Sequence, residues 1–133
     1  MPAINFPEYA RGITNLLDTL FASGQARLVN IQVDQRSMLR GFFSGVLLFE
    51  DDSELHFREF VDFTQTQPRL TYAYHYQNAN KVLIFRYDNA IHRPALAHKD
   101  HKHTSDGITL SPAPTLAQIV DGILGRPKTS TTS

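Results

Sequence analysis

Residues Tyr72 to His103, YAYHYQNANKVLIFRYDNAIHRPALAHKDHKH, are the stretch from which the fold and the chemistry of this chain are interpreted. The stretch contains most of two strand-like runs, Leu70 to Gln77 and Val82 to Tyr87, and ends in a histidine-rich segment. Four of the five tyrosines and five of the six histidines lie in it. Histidine is neither a strong strand former nor a common core residue, so folding alone does not require this concentration. The stretch therefore indicates a functional site.

The two runs predict an antiparallel hairpin. A turn across Asn78 to Lys81 pairs Gln77 with Val82, and strand alternation then assigns each side chain to one of two faces. One face carries Tyr72, Tyr74, Tyr76, Leu83, Phe85 and Tyr87, and the other carries His75, Ile84, Arg86 and Asp88. The tyrosines form either an aromatic row in the core or a platform for base stacking.

A second hairpin is predicted upstream, from Phe42 to Phe49 and from Glu54 to Phe63. A turn at Asp51-Asp52 pairs Glu50 with Ser53. This register puts on a core face the residues Phe42, Val46, Leu48, Leu55, Phe57, Val61 and Phe63. It puts on the other face the residues Phe43, Leu47, Phe49, Glu54, His56, Arg58 and Phe60.

Two polar residues, Ser44 and Glu59, fall on this predicted core face. Burying a carboxylate among phenylalanines is costly unless the carboxylate is paired or protonated. Arg86 is the candidate partner if it lies on the same side of the sheet as Glu59. Such a pair would be either a structural ion pair or a catalytic acid with its cation.

The chain is predicted to have a helix at each end. Near the N-terminus, Pro7 suits a first turn and Gly24 ends a helix whose apolar residues recur at helical spacing: Ile13, Leu16, Leu17, Leu20 and Phe21. Near the C-terminus, Thr115 and Gln118 fit a capping box, and Gly125 and Pro127 end the helix. Its apolar residues are Leu116, Ile119, Val120, Ile123 and Leu124.

The remaining segments complete the predicted organisation. Ala26 to Asp34 alternates as a half-buried strand, with Val29, Ile31 and Val33 on one side. Ala90 to Pro114 has no regular pattern and is interpreted as a long loop, either functional or disordered. We therefore expect a single α+β domain over residues 1–127, with an about five-stranded, mostly antiparallel meander sheet, an N-terminal and a C-terminal helix, and a disordered tail at 128–133.

Composition narrows the classes of function. The chain has 133 residues, 13 lysines and arginines, 13 aspartates and glutamates, and no cysteine. The balanced charge supplies no overall field for nucleic acid or anionic lipid, so any phosphate binding must come from a local patch. Disulfides and thiolate metal sites are excluded. No apolar run approaches a membrane span and no signal pattern begins the chain, so we expect a soluble, cytoplasmic protein.

The histidine-rich segment supports two kinds of chemistry. His98, His101 and His103 would supply three imidazoles to a metal with an open fourth position, with Asp100 or Asp106 as a spare ligand. Alternatively, one histidine takes a proton from a ribose 2′-hydroxyl while another protonates the leaving oxygen, which cleaves RNA without metal or cofactor. A solvated linker without a role is the third interpretation.

Three segments of this sequence resemble the TumE family of prokaryotic toxin-antitoxin modules. They are LHFREFVDF at 55–63, YAYHYQNANKVLIFRYDNAIHRPAL at 72–96 and HKHTSDG at 101–107, and the resemblance extends from about Ser44 to Leu124. It implies a small toxin encoded beside a helix-turn-helix antitoxin and related by role to endoribonuclease toxins. The residues that match its motifs are Phe57, Arg58, Glu59, His75, Tyr76, Arg86, Tyr87, Asp88, Asn89, His92, Pro94, His101, Lys102 and His103.

From chemistry and resemblance together we predict a type II toxin that acts as a metal-independent endoribonuclease and needs no cofactor. The predicted catalytic residues are His101, His103, His92, Lys102, Arg86, Asp88 and Glu59. The predicted substrate-binding residues are Tyr76, Tyr87, Arg58, His75, Lys99 and Arg93. The alternatives are a protein that binds a metal through His98, His101 and His103, and a non-enzymatic interaction module whose histidine segment orders on binding its partner.

The position of Asp88 at the end of a strand leads to one geometric prediction. The segment after Asn89 is expected to fold back over its own hairpin. It then brings His92, and at least one of His101 and His103, close to Asp88, Arg86 and the tyrosine row, rather than projecting into solvent.

Overall fold

The computed structural model describes residues 3–89 and 100–125, which form two helices and seven strands. In chain order the elements are α1 (Phe6–Ala22), β1 (Ala26–Gln35), β2 (Arg40–Phe49), β3 (Glu54–Asp62), β4 (Arg69–Gln77), β5 (Leu83–Asp88), β6 (His101–Thr104), β7 (Gly107–Leu110) and α2 (Leu116–Leu124). The strands form one sheet in the order of the chain, and each pairs antiparallel with the next. The predicted α+β meander with a helix at each end is confirmed.

The prediction of about five strands is wrong, because the segment interpreted as a loop contains β6 and β7. Their register pairs Thr104 with Gly107, so Ser105 and Asp106 form a tight turn. Gly107 has a φ of +124°, a conformation that L side chains rarely adopt. An Asp-Gly pair between short alternating runs is a hairpin signal, and here it extends the sheet by two strands.

Both helices begin where capping residues satisfy their first amides. The Asn5 side chain accepts a hydrogen bond of 3.0 Å from the Glu8 amide, and Pro7 lies in the first turn of α1. At α2, Thr115 and Gln118 form the predicted capping box, with reciprocal bonds of 3.1 and 2.9 Å. α2 ends at the cap residue Gly125, as predicted, whereas Pro127 lies outside the described residues.

One apolar core joins both helices to one face of the sheet. Its buried residues are Phe6, Leu17, Leu20, Ala26, Phe43, Leu47, Phe49, Leu55, Phe57, Val61, Tyr72, Tyr74, Tyr76, Phe85, Leu116, Ile119, Val120 and Ile123. Strand residues of this set alternate along β2, β3 and β4, as expected for a sheet buried on one side. We call this side of the sheet the covered face and its opposite the open face.

The register of the first hairpin differs from the predicted one by one residue. Leu47 lies opposite Leu55, whereas the predicted register placed it opposite His56. The cause is the turn, in which Asp52 adopts a φ of +66° and the Phe49 amide donates to the Ser53 carbonyl at 3.0 Å. The left-handed residue lengthens the loop by one position and reverses the faces of β2.

This correction reassigns the residues of β2. Its core residues are Phe43, Leu47 and Phe49, whereas Phe42, Val46 and Leu48, which were predicted to be core, lie on the open face and are half-buried. Ser44 also moves to the open face. The β3 assignment stands, because Leu55, Phe57 and Val61 are buried as predicted.

Three further strands test the predicted alternation. In β4 and β5 the face assignment is confirmed, since Tyr74 lies opposite Tyr87 and His75 lies opposite Arg86. The predicted pairing of Gln77 with Val82 is wrong, because the register shifts after Tyr76 and Gln77 pairs with Leu83. In β1, Val29 and Val33 are exposed, so the predicted half-buried side is only partly correct. A register shift between Leu28 and Asn30 places Val29 at a β-bulge, which interrupts the alternation.

The predicted tail at 128–133 lies outside the described residues. Within the described residues, neither helix is long and apolar enough to cross a bilayer.

Candidate functional site

The open face carries two rows of polar residues that run across neighbouring strands. Cross-strand pairing aligns His56 with His75, His75 with Arg86, and Arg86 with His103, and we call these four residues the central row. A second row on the same face lies two residues away along each strand and aligns Arg58, Ala73, Asp88 and His101. Neighbouring strands lie about 4.8 Å apart, so His75 and His103 stand roughly 10 Å apart in the backbone with Arg86 between them.

Asp88 links the two rows by contacts to three cationic or ionisable groups. Its Oδ1 lies 2.8 Å from Nε2 of His101, and its Oδ2 lies 2.8 Å from Nε of Arg86 and 3.4 Å from Nε2 of His103. The imidazoles of His101 and His103 are themselves close, with ring centroids 4.8 Å apart. The carboxylate thus holds the charged group of Arg86 and both histidine rings in one arrangement.

The four side chains of this cluster differ in how much of their surface is exposed to solvent. The side chains of His101 and Asp88 are 0% and 5% exposed, whereas those of His103 and Arg86 are 21% and 32% exposed. Arg86 and His103 are therefore the partly exposed members of the cluster, although Nε2 of His103 is itself buried.

A groove continues the site across β1 to β5. It has a volume of about 430 Å³, and its polar lining includes Asn30, Gln32, His56, Arg58, His75 and Arg86. Arg58 is exposed and has no ion-pair partner among residues 3–89 and 100–125. The groove thus adds a second guanidinium to the one at Arg86 and forms a local cationic surface on a chain of zero net charge.

His75 lines this groove, and its surroundings disfavour the charged imidazole. Burial lowers the pKa of the His75 imidazole below its usual 6.5, and the charge of Arg86 adds to that effect against the hydrogen bond that the ring donates to Gln77. Nε2 lies 3.1 Å from the Gln77 side-chain oxygen, which can only accept. The lone pair of the neutral ring is then on Nδ1, which is buried and has no hydrogen-bond partner within the described residues.

Glu59 lies on the covered face, away from both rows. Its carboxylate accepts hydrogen bonds from the hydroxyls of Tyr9 and Tyr74, and burial raises its pKa above the usual 4.5 although these bonds oppose the shift. Burial beside this carboxyl also raises the pKa of both tyrosines. The predicted contact between Glu59 and Arg86 does not form, because strand alternation puts Arg86 on the open face, where it contacts Asp88.

Three other predicted site residues also point to the covered side of their strands. Tyr76 is buried and its hydroxyl lies 2.7 Å from that of Ser53. Tyr87 is half-buried, and the ammonium of Lys102 lies 5.2 Å from the centre of its ring. The tyrosine row therefore forms part of the core and its margin, and is not a platform on the open face.

The structure brings together His101, His103, Asp88 and Arg86, and the predicted proximity of these histidines to Asp88 is confirmed. Strand pairing causes it: His101 lies opposite Asp88, and alternation puts His103 on the same side. The predicted proximity to the tyrosine row is wrong, because alternation puts the tyrosines on the covered face. His92, Arg93, His98 and Lys99 lie outside the described residues. The Asp106-Gly107 pair was a sequence signal for the β6–β7 hairpin, but not for the β5–β6 pairing that brings His101 to Asp88.

Comparison with known proteins gives one match. The family model described as "Toxin TumE" matches residues 15–127. No significant match is found to a curated protein or to a solved structure. The match includes both rows of the open face and α2.

Proposed function

This chain belongs to the TumE toxin family, and from that premise we propose that it is the toxin of a type II toxin-antitoxin pair and that it cleaves RNA on its open face without a metal. The observation that carries the proposal is the central row, in which Arg86 lies between His75 and His103. Two imidazoles on either side of a guanidinium are the groups that phosphodiester transfer by proton exchange requires.

In the proposed reaction, the phosphate bound by Arg86 is attacked by the neighbouring ribose 2′-oxygen. The bond between the 2′-oxygen and phosphorus forms while the bond from phosphorus to the 5′-oxygen breaks, which gives a 2′,3′-cyclic phosphate and a 5′-hydroxyl end. His75, which lines the groove, takes the 2′-hydroxyl proton after its ring rotates to expose Nδ1, which is buried in this structure. His103 gives a proton to the leaving oxygen, and the guanidinium balances the charge that develops on phosphorus.

Asp88 and His101 act as positioning residues in this proposal. Asp88 contacts His103 and Arg86 directly, and His101 bonds the same carboxylate from a fully buried position. His101 therefore restricts the orientation of the carboxylate that in turn orients the two groups facing the substrate. Glu59, Tyr76, Tyr87 and Lys102 have no part in the proposed reaction, since they point to the other side of the sheet.

The groove beside the central row is proposed to hold the RNA backbone. Arg58 projects from β3 into this groove, two strands away from Arg86. A second guanidinium at that position would bind a further phosphate and align the strand over His75. We propose the cytoplasm as the place of action, since RNA and the cognate helix-turn-helix antitoxin would both be available there.

Controlled expression in a host that lacks the antitoxin tests the proposal. The wild-type chain should arrest growth and create new RNA ends with 5′-hydroxyl groups, and His103→Ala and Arg86→Ala should do neither. Arg11→Ala is the matched control, because Arg11 is exposed on α1, on the covered side of the sheet.

Two results would count against the proposal at different levels. Normal growth at high levels of soluble wild-type protein would contradict the toxin assignment. Growth arrest with intact RNA would retain the toxin and remove the endoribonuclease.

A further inference from the structure

Besides orienting one another, the side chains around Asp88 carry atoms that can bind a metal ion. One ligand atom from each of Asp88, His101 and His103 lies within 4.8 Å of the other two. Two imidazole nitrogens and a carboxylate oxygen are a donor set that suits Zn²⁺ and related divalent transition metals. We propose that these three residues bind such an ion, with Zn²⁺ as the best fit, and that the bound ion inhibits the toxin.

The distances match a tetrahedral site after small side-chain movements. Zinc bonds of 2.0–2.1 Å place neighbouring ligand atoms roughly 3.3 Å apart. The Oδ2 of Asp88 already lies 3.4 Å from Nε2 of His103, and its Oδ1 lies 2.8 Å from Nε2 of His101. The ligands come from the adjacent strands β5 and β6, so the backbone is already in place.

The surroundings support three protein ligands and one open position. His101 and Asp88 are buried, which shields two of the ligands from water. His103 is partly exposed, so we expect the fourth position to lie on its side of the cluster, where water or a substrate oxygen can enter. The site differs from the one predicted from sequence, because Asp88 takes the place of His98.

The positive charge of Arg86 should lower the affinity of this site for the metal ion. Its Nε lies 2.8 Å from Oδ2 of Asp88, so a positive charge already faces the carboxylate. The ion would bind the carboxylate while Arg86 keeps its hydrogen bond from outside, an arrangement in which the outer partner orients the ligand. We therefore expect weaker binding than at a structural zinc site, with the ion removable by a chelator.

The inhibitory part of this inference rests on the proposed function. A metal bound to Nε2 of His103 prevents the ring from becoming an imidazolium, the form that gives a proton to the leaving oxygen. The ion would also add positive charge beside Arg86. Zinc should therefore lower the rate of RNA cleavage, and a chelator should restore it.

Binding is tested on the full-length protein after EDTA treatment and buffer exchange. Calorimetric titration with ZnCl2 should give one ion per chain, and CoCl2 should give the visible absorption of a four-coordinate site. His101→Ala and Asp88→Asn should each weaken zinc binding at least about 10-fold. His98→Ala and His56→Ala are the matched controls and should leave the affinity unchanged, with circular dichroism confirming that every variant folds.

The outcomes separate this inference from the proposed function. Absence of zinc binding to the folded wild-type chain would overturn the site whatever the protein does to RNA, and so would loss of binding in His98→Ala with retention in Asp88→Asn. Zinc binding that leaves RNA cleavage unchanged would overturn the inhibitory role. Cleavage that EDTA abolishes and zinc restores would keep the site but overturn both inhibition and metal-free catalysis.

Discussion

Nε2 of His101 lies 2.8 Å from Oδ1 of Asp88, and both side chains are buried on the face of the sheet opposite the two helices. The other carboxylate oxygen contacts Arg86 and His103. A single buried carboxylate thus contacts the charged or ionisable groups of Arg86, His101 and His103. Its removal should affect activity more than any change of the same size elsewhere in the sheet.

The substitution Asp88→Asn preserves the shape of the side chain and removes its charge. We expect RNA cleavage to fall by about 100-fold or more, as is typical when general acid–base groups lose their alignment. Unfolding free energy should fall by about 1–3 kcal/mol, since buried partners lose a charged hydrogen-bond acceptor. The measurement is kcat/KM against pH together with urea denaturation.

The same assay separates positioning from stability at His101. His101→Asn should change the pH profile and lower kcat more than it raises KM, because His101 acts through Asp88. A variant that is only less stable would keep the wild-type profile at a temperature where it is fully folded. That second pattern would assign His101 to the core alone.

Arg58 provides a test of the groove as a backbone-binding surface. Arg58→Ala should weaken binding of a single-stranded RNA. It should also reduce the magnitude of the slope of log K against log salt concentration by about 1, the change expected when one phosphate contact is lost. Arg11→Ala, on the exposed surface of α1, should leave both quantities unchanged. Equal effects from the two variants would indicate general electrostatic attraction and would remove Arg58 from the site.

Glu59 links stability to pH on the other side of the sheet. Burial raises its pKa above 4.5 in the folded protein, so folding favours the protonated carboxyl. The resulting stability is complete below the unfolded value and is lost as pH rises through the folded one. The unfolding free energy of Glu59→Gln should therefore depend less on pH than that of the wild type as the pH rises above 4.5, with RNA cleavage unchanged.

Chemical denaturation at a series of pH values gives this comparison directly. Tyr9→Phe and Tyr74→Phe, which remove the two hydroxyls that bond Glu59, should steepen the loss of stability with rising pH. If the unfolding free energy of the wild type changed with pH in parallel with that of Glu59→Gln, Glu59 would not titrate as described.

Gly45 tests the corrected register of β2. A Cβ atom at this position would lie 2.6 Å from the Phe57 ring and 2.7 Å from the Asn30 carbonyl, so backbone must shift. Gly45→Ala should lower the unfolding free energy by about 1–3 kcal/mol. Gly12→Ala, where nothing lies within 4 Å, should raise it by about 0.5–1 kcal/mol. Stabilisation by both changes would contradict the register.

Local patterns predicted the helices and the alternation of the central hairpin because these depend on neighbours in sequence. The capping box at Thr115 and the shared face of Tyr74 and Tyr87 are confirmed for this reason. The face of β2 was mispredicted because one left-handed residue, Asp52, changes the loop length and reverses every side chain beyond it. Face assignment therefore depends on turn geometry that residue periodicity does not encode.

The candidate site was predictable in part for the same reason. Asp88, His101 and His103 were expected to meet, but as a loop folding back, whereas they meet by pairing of β5 with β6. Glu59 and Arg86 were possible partners, and alternation across the sheet separates them. The central row joins four strands, so its alignment depends on three registers at once.

The most direct test of the central claim is cleavage of an end-labelled RNA by the purified wild-type toxin in excess EDTA, with one 2′-deoxy nucleotide placed at the mapped cleavage site. We expect the all-ribose RNA to be cleaved to a 2′,3′-cyclic phosphate. Cleavage should be lost at the deoxy position, and it should also be lost in His103→Ala. Cleavage at the deoxy position, or full activity of folded His103→Ala, would contradict it.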